Sequence, residues 1–337
     1  MKSYMQRKGK GLHQLLLLTI LVFTMNVITG CGKQDGDVTE QKRYIAVICK
    51  GSQHEFWKTV EQGAKDAGEE LGIQITFEAP EDESQIDVQI EMVENAIQND
   101  ADAIVLAPLD TDLLNDVIEK AVASGIPVLT FDSDVTTDAR IATIGTDNES
   151  AGAIAARNAA NLMGGKGKVA IISYVEGAQT AIERNNGFIQ VMQEKYSGDI
   201  EIVGIEYCNG DPEIAKEQAK QFIKENPDLK CIYGANEGCA VGTASAIDEL
   251  GLKDKITVIG FDSSDNEIAF LADGVIDGMM VQNPYNMGYL GVRNINKVLN
   301  GNDIEERIDT GATYVNSENL YDEDTQWLLY PLGKDEE

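Results

Sequence analysis

Residues 44–148 alternate between short apolar runs and longer segments in which apolar residues recur every three or four positions. Runs such as Tyr44–Cys49 and Ala103–Leu106 are typical of buried strands. Apolar residues at helical spacing from Phe56 onward predict a helix that Gly72 ends. The predicted strands must run parallel, because a strand–helix–strand order returns the chain through a helix that covers the sheet.

The same alternation resumes after Asn148 and continues to about residue 315. In this second series, apolar spacing predicts helices that begin at Ile182 and at Val241, each between apolar strands. The two series have similar lengths. The sequence therefore predicts an α/β fold of two doubly wound, Rossmann-like lobes with parallel sheets.

Three chain crossings between the lobes are predicted, near Asp147, near Gln282–Asn283 and near Thr310–Ala312, which makes a three-strand hinge. The third crossing follows because helix Met287–Leu299 is predicted to pack on the first lobe, whereas Ala312–Val315 would add a strand to the second. The predicted organisation is a signal peptide (1–30), a polar tether (31–43), an N-terminal lobe (44–146 with 283–310) and a C-terminal lobe (147–282 with 311–330).

The first 30 residues have a basic front and an apolar run, Leu15–Ile28, that is too short to span a bilayer comfortably. The sequence Ile28-Thr29-Gly30-Cys31 resembles a bacterial lipobox, in which Cys31 would become a lipidated N-terminus. An uncleaved membrane anchor is the alternative. Both interpretations predict a domain at the extracellular face of the cytoplasmic membrane, or in the periplasm.

Charge and composition narrow the possible partners. The formal net charge is −30, and removal of residues 1–30, which carry four basic and no acidic residues, would change it to −34. Such a charge argues against nucleic acid or anionic lipid as a partner. A hydrophobic content of 43% allows a full core, so a folded acidic protein is expected.

No arrangement of residues typical of an enzyme is visible. His54 is the only histidine after residue 30, and it has no Ser or Cys partner nearby in sequence. The cysteine spacing matches no zinc motif, so neither a metal nor a cofactor is expected. Cys49 and Cys231 fall in apolar strands, where a free cysteine behaves as a small hydrophobe. Whether these two, Cys208 or Cys239 form disulfides is left open.

Polar side chains follow the carboxyl ends of several predicted strands: Lys50, Asp132, Asn236 and Asp262. Ligands of doubly wound sheets bind at these ends. Carboxylates and amides there suit a polyhydroxylated ligand, because each carboxylate can accept two hydroxyl donors.

The pair Phe56-Trp57 could pack against the apolar face of a sugar ring. Both residues also belong to the apolar stripe of their helix, so core packing is an equally good explanation. Asp262 likewise has a structural alternative, as the cap of a helix that begins near Asp265.

From Tyr44 to about Val315 the chain resembles the type I periplasmic substrate-binding proteins of the ribose-binding group, which share a fold with the lactose-repressor core. Each motif alone is common, but seven in family order are specific. They are Ile45-Ala46-Val47 with Glu55-Phe56-Trp57 and Gly63-Ala64; Pro127–Asp132; Thr146-Asp147-Asn148; Glu183-Arg184 with Gly187-Phe188; Gly234-Ala235-Asn236-Glu237; Val258–Asp262; and Gln282-Asn283-Pro284.

This resemblance implies a monomeric receptor that captures a sugar or polyol between its lobes and delivers it to an ABC permease. The alternative partner is a membrane histidine kinase or chemoreceptor. The implied ligand contacts are His54, Phe56, Trp57, Asp132, Arg184, Asn236, Asp262 and Gln282.

Departures from the family pattern argue against ribose itself. Ribose binders usually have Arg where Ser133 stands, Asn where His54 stands and a second Arg where Ile182 stands, and guanidinium donors are not readily replaced. The run Phe131–Asp134, together with Lys50, is also similar to receptors for a furanosyl autoinducer. The candidate ligand contacts therefore also include Ser133 and Lys50, which follows a predicted strand.

Overall fold

The structure, a computed structural model, describes residues 42–52 and 54–331. The strands in this part of the chain are β1 (Tyr44–Ile48), β2 (Gln74–Glu78), β3 (Ala103–Leu106), β4 (Val128–Phe131), β5 (Thr143–Gly145), β6 (Gly167–Ser173), β7 (Ile200–Tyr207), β8 (Leu229–Gly234), β9 (Thr257–Phe261), β10 (Gly278–Gln282), β11 (Arg307–Asp309) and β12 (Ala312–Asn316). The helices are α1 (Glu55–Leu71), α2 (Ile86–Gln98), α3 (Asn115–Ala123), α4 (Asn148–Leu162), α5 (Gln179–Lys195), α6 (Pro212–Glu225), α7 (Glu237–Glu249), α8 (Asp265–Ala272), α9 (Pro284–Leu299) and α10 (Glu323–Leu329).

Within the described residues the strands form two six-stranded sheets, which define a first and a second lobe. Their strand orders are β11-β5-β4-β3-β1-β2 and β12-β10-β9-β8-β6-β7. The chain passes between the sheets after β5, after β10 and between β11 and β12. The predicted α/β class with two doubly wound lobes is confirmed. One strand departs from the parallel prediction, because β12 pairs with β10 in antiparallel orientation.

Apolar layers cover both faces of the first sheet. Along β1, Ile45 and Val47 belong to one buried cluster, whereas Ala46 and Ile48 belong to another on the opposite face. This explains why the strand is apolar at every position, as expected of a parallel sheet covered on both sides. Among the described residues, none of the helices is both long enough and apolar enough to cross a bilayer.

Helix α9 packs directly on α1 in the first lobe, although it follows the second lobe in sequence. A Cβ atom on Gly63 of α1 would lie 2.1 Å from the carbonyl oxygen of Tyr285, and one on Gly288 of α9 would lie 2.1 Å from that of Val60. Glycine at both positions thus allows the two backbones to meet. Buried Met287 adds apolar contact at the same interface.

Several element boundaries differ from the sequence prediction. Helix α5 begins at Gln179 instead of Ile182, and α7 begins at Glu237 instead of Val241. The second difference follows from helix capping, because the Asn236 side chain accepts a hydrogen bond from the backbone N–H of the third residue of α7. Apolar spacing does not detect a cap of this kind. Strand β11 and helix α10 have no counterpart among the predicted elements.

Candidate functional site

A cavity lies where the carboxyl ends of strands from both sheets face each other. Its volume is about 310 Å³, part of which is continuous with solvent. Nine of the ten predicted ligand contacts line it; the tenth, Ser133, contacts the lining residue Lys50 instead. The lining residues are Lys50, His54, Phe56, Trp57, Glu83, Asp132, Tyr174, Thr180, Arg184, Asn236, Glu237, Asp262 and Gln282.

Asp132 ends β4 of the first lobe and pairs with Lys50. The Lys50 Nζ lies 2.7 Å from Asp132 Oδ2, and both side chains are at most 5% exposed. Lys50 also donates hydrogen bonds to the Ser133 hydroxyl and, 3.3 Å away in the second lobe, to Thr180 Oγ1. The buried ammonium group therefore has three polar partners, and it joins the two lobes.

Asp262 ends β9 of the second lobe. Its carboxylate accepts hydrogen bonds from Gln282 Nε2 at 2.6 Å and from the backbone N–H of Glu237 at 3.1 Å, and it lies 3.9 Å from Arg184 Nη1. Burial raises the pKa of Asp262, and the nearby Arg184 charge counteracts this. The hydrogen bonds orient the carboxylate toward the cavity.

The alternative role of Asp262, as the cap of the helix near Asp265, is not what the structure shows. Ser264 caps α8, because its hydroxyl accepts the hydrogen bond of the Glu267 N–H. Asp262 instead accepts the N–H of Glu237, the first residue of α7.

Arg184 is held rigidly by groups of the second lobe. Its guanidinium lies 3.6 Å from the centroid of the Phe261 ring. Its Nε donates to Asn148 Oδ1 and its Nη1 to the carbonyl oxygen of Ala235, both at 2.8 Å. The group is therefore pre-oriented for a ligand oxygen without a further loss of side-chain freedom.

His54 has one acidic neighbour in each lobe. Its Nδ1 lies 3.6 Å from Oε1 of Glu237, in the second lobe, and Glu83 adds a further negative charge. Burial alone would lower the pKa of His54, but the two glutamates outweigh it and raise the pKa to about 9. The imidazole is therefore positively charged at neutral pH in this arrangement.

Phe56 and Trp57 belong to the core of the first lobe and also line the cavity. Their rings meet edge to face, with centroids 4.8 Å apart, within the core of the first lobe. Both also line the cavity, and Trp57 Nε1 donates to Glu83 Oε1 at 3.2 Å. Core packing thus holds the two aromatic surfaces in place beside the polar groups.

Four lining residues were missed by the sequence analysis: Glu83, Tyr174, Thr180 and Glu237. Tyr174 directly follows β6 and donates a hydrogen bond to Thr180, so the rule of polar groups at strand ends could have found it. Glu237 adjoins the cap of a helix whose start was predicted four residues too late. Glu83 lies in a loop, where the hydrophobic pattern gives no signal.

The cavity contains more acidic than basic side chains. Two buried acceptors at its wall, Glu237 Oε2 and Gln282 Oε1, have no hydrogen-bond partner in the described part of the chain. Buried acceptors of this kind are costly unless a donor satisfies them. Among the residues that the structure describes, no group of His, Cys, Asp and Glu is suited to hold a metal ion. The site can therefore accept hydrogen bonds from a neutral, hydroxyl-rich molecule.

Comparison with known proteins assigns the family. The model of the periplasmic binding protein domain matches residues 45–303. The chain therefore belongs to the periplasmic binding protein family, and the resemblance inferred from the order of its motifs is confirmed.

Two relatives are named as sugar-binding proteins. The chain is 28% identical over 279 residues to a D-ribose/D-allose-binding protein of Pseudomonas aeruginosa, covering 80% of this chain and 86% of the relative. It is 25% identical over 297 residues to a ribose import binding protein of Bacillus subtilis, covering 86% and 94%.

Similar solved structures are also solute-binding proteins with bound sugars. An ABC transporter solute-binding protein of Agrobacterium vitis with bound D-fucose is 38% identical, with a TM-score of 0.83 over 85% of this chain and 100% of that one. A carbohydrate transporter solute-binding protein of Agrobacterium radiobacter in complex with D-arabinose is 32% identical, also with a TM-score of 0.83, over 86% and 99%. The fold is thus that of sugar-binding solute-binding proteins of ABC transporters.

Proposed function

We propose that the protein is an extracytoplasmic solute receptor that captures a small sugar or polyol between its lobes and delivers it to an ABC importer. The observation that carries the proposal is the pair of carboxylates, Asp132 and Asp262, at the strand ends of opposite lobes around one polar cavity. Both relatives and both solved structures described above are named for sugars or sugar transport, which supports the same ligand class.

The proposed ligand contacts divide between the lobes. Lys50, His54, Phe56, Trp57, Asp132 and Ser133 would act from the first lobe, and Arg184, Asn236, Asp262 and Gln282 from the second or the hinge. A ligand that contacts both sides favours closure by its differential affinity for the closed form. The existing contacts between lobes, such as Lys50 with Thr180 and His54 with Glu237, would assist the same closure.

The proposal includes the location of the protein and its attachment to the membrane. Cys31, which lies outside the described residues, would carry the lipid anchor after removal of residues 1–30. The polar segment 31–43 would tether lobes composed of 44–146 with 283–310 and of 147–282 with 311–330. The receptor would act as a monomer at the outer face of the cytoplasmic membrane, without a cofactor, and would present its closed form to the permease.

Calorimetric titration of the purified protein with D-ribose, D-allose, D-arabinose and D-fucose, followed by a thermal-shift panel of other aldoses, ketoses and polyols, tests the proposed ligand class. At least one compound should bind saturably with one site per chain, and Asp262→Asn should weaken that binding. If none of these compounds binds or raises the melting temperature, the sugar-receptor proposal is wrong.

A further inference from the structure

Cys208 and Cys239 lie side by side in the second lobe. Their Sγ atoms are 3.2 Å apart, although the residues are 31 positions apart in sequence. Cys208 directly follows β7, and Cys239 is the third residue of α7. Both side chains are completely buried. A disulfide bond brings two sulfurs to about 2.05 Å, so an approach of roughly 1 Å would join them.

The backbone holds both cysteines in position. The N–H of Cys208 donates to the carbonyl oxygen of Ser173 at 2.9 Å, and its own carbonyl accepts the Asp211 N–H at 3.0 Å. The N–H of Cys239 donates to the capping side chain of Asn236 at 3.0 Å. The short distance between the sulfurs therefore follows from anchored elements on both sides.

Glycines on the same two segments allow them to meet without an intervening side chain. A Cβ atom on Gly238 would lie 1.9 Å from the carbonyl oxygen of Gly210. Gly210 has a φ of +77°, a backbone conformation that favours glycine. The backbones of the loop after β7 and of the start of α7 are therefore in direct contact next to the two thiols.

We propose that Cys208 and Cys239 form a disulfide bond when the chain folds in an oxidising compartment. The thiolate of one cysteine attacks a disulfide oxidant, such as oxidised glutathione or a protein disulfide, and releases one thiol. The second thiolate then attacks the mixed disulfide and releases the other thiol. The two cysteines lose two electrons and two protons, and the oxidant is reduced to two thiols.

The timing of this oxidation follows from burial. Burial raises the pKa of the Cys239 thiol well above its usual value, and a protonated, inaccessible thiol reacts slowly. The bond therefore forms while the loop and the helix are still being packed, and not by attack on the finished fold. Oxidation during refolding is the appropriate assay.

The bond would also affect the wall of the cavity. Asn236 and Glu237 line the cavity from the same helix end that carries Cys239. A covalent link to the loop after β7 would fix this end against the second sheet. The inference goes beyond the proposed function and does not depend on the identity of the ligand.

The test is refolding of the full chain carrying Cys31→Ser, so that four thiols remain, in a buffer of reduced and oxidised glutathione. We expect two reactive thiols instead of four after denaturation, a mass lower by about 2 Da, and a cross-linked peptide that joins residues 208 and 239. The oxidised protein should melt roughly 5–10 °C higher than the same protein treated with dithiothreitol.

A matched pair of variants identifies the residues involved. Cys49→Ala with Cys231→Ala removes the two buried thiols elsewhere and should leave the cross-link intact. Cys208→Ala should retain three reactive thiols under the same conditions. The proposal is overturned if all four thiols of the refolded parent protein stay reactive, or if peptide mapping finds the cross-link between other cysteines. Peptide mapping of the parent protein gives this answer even if a variant fails to fold.

Discussion

Asp132 and Asp262 occupy equivalent positions in the two sheets. Asp132 follows β4 with a φ of +60°, and Asp262 follows β9 with a φ of +82°. The N–H of each donates, at 2.8 Å, to a carbonyl of the next strand, Ile144 in the first sheet and Met280 in the second. The two lobes therefore present a carboxylate in the same way, from a residue at a strand end whose backbone has the left-handed conformation. Aspartate adopts that conformation more readily than most residues do.

Removal of either charge should weaken ligand binding. Asp132→Asn and Asp262→Asn keep the shape and tolerate the positive φ, but each loses a charge-assisted hydrogen bond worth about 1.5–3 kcal/mol. We expect the dissociation constant of the ligand identified by titration to rise about tenfold to a hundredfold. Exposed Asp303→Asn serves as the control, with unchanged affinity. A lowered melting temperature with unchanged affinity would assign that aspartate to structure alone.

Lys50→Met should destabilise the fold by leaving the Asp132 carboxylate buried without its partner. Loss of one member of a buried ion pair costs about 3–5 kcal/mol. Urea unfolding of Lys50→Met, Asp132→Asn and the double variant measures this. The double variant should lose at least about 1 kcal/mol less than the sum of the single losses, because its second change removes the isolated charge. Strict additivity would show that the pair is not coupled.

Stability should depend on pH through His54. Its pKa is about 9 in the folded protein, above the ordinary 6.5, so its protonation stabilises the fold. This contribution is fully present below pH 6.5 and is lost as pH rises through 9; it is on the order of 3 kcal/mol. Thermal unfolding between pH 6 and 9.5 should show a steeper decline for wild type than for His54→Asn. Parallel profiles for the two proteins would contradict the assignment.

Gly288→Ala should disrupt the contact of α9 with α1, since its Cβ would lie 2.1 Å from the backbone carbonyl oxygen of Val60. We expect a loss of about 3 kcal/mol in the free energy of unfolding. Gly291→Ala on the same helix is the matched control, because its Cβ would meet a side-chain carbon of Val105 at 3.0 Å and no backbone atom. Its loss should stay within about 1 kcal/mol, since alanine also favours the helix. Equal losses would mean that backbone contact is not decisive.

Substitution of Cys31 tests the proposed anchor. Cys31→Ser should leave the precursor unprocessed or release the protein from the membrane fraction, because serine cannot carry the thioether-linked lipid. Gln34→Ala, in the same tether, should behave as wild type. Cell fractionation and the size of the processed protein measure both effects. Identical processing and location of wild type and Cys31→Ser would exclude lipidation.

The elements that the sequence predicted well are those whose pattern is strong within a few residues. Strand Ala103–Leu106 has the predicted bounds, and the helix that was predicted to end at Leu299 does end there. Strand β11 was missed because it is three residues long, with the exposed ends Arg307 and Asp309, and forms only by pairing with β5 at a sheet edge. Tertiary contact, which no local pattern records, decides such a strand.

The residues of the candidate site could also be predicted only in part from the sequence. The pattern of polar residues at strand ends and the family motifs together pointed to Asp132, Asn236 and Asp262, and all three line one cavity. The pattern works because parallel strands present their carboxyl ends at one edge of the sheet. Glu83 reaches the cavity from a loop, held by Trp57 Nε1, and its position depends on the packed fold. Ser133, another predicted ligand contact, accepts a hydrogen bond from Lys50 and is not among the residues that line the cavity.

The packing of α9 on α1 has a consequence for folding during synthesis. A chain that emerges from its N-terminus first exposes α1 long before Pro284–Leu299 is available to cover it. The complete second sheet also waits for β12, near the C-terminus. Neither lobe is complete until the last fifth of the chain is available, so the protein reaches its full stability only late in synthesis. Until then, a chaperone that covers the exposed apolar face of α1 would protect the chain from aggregation.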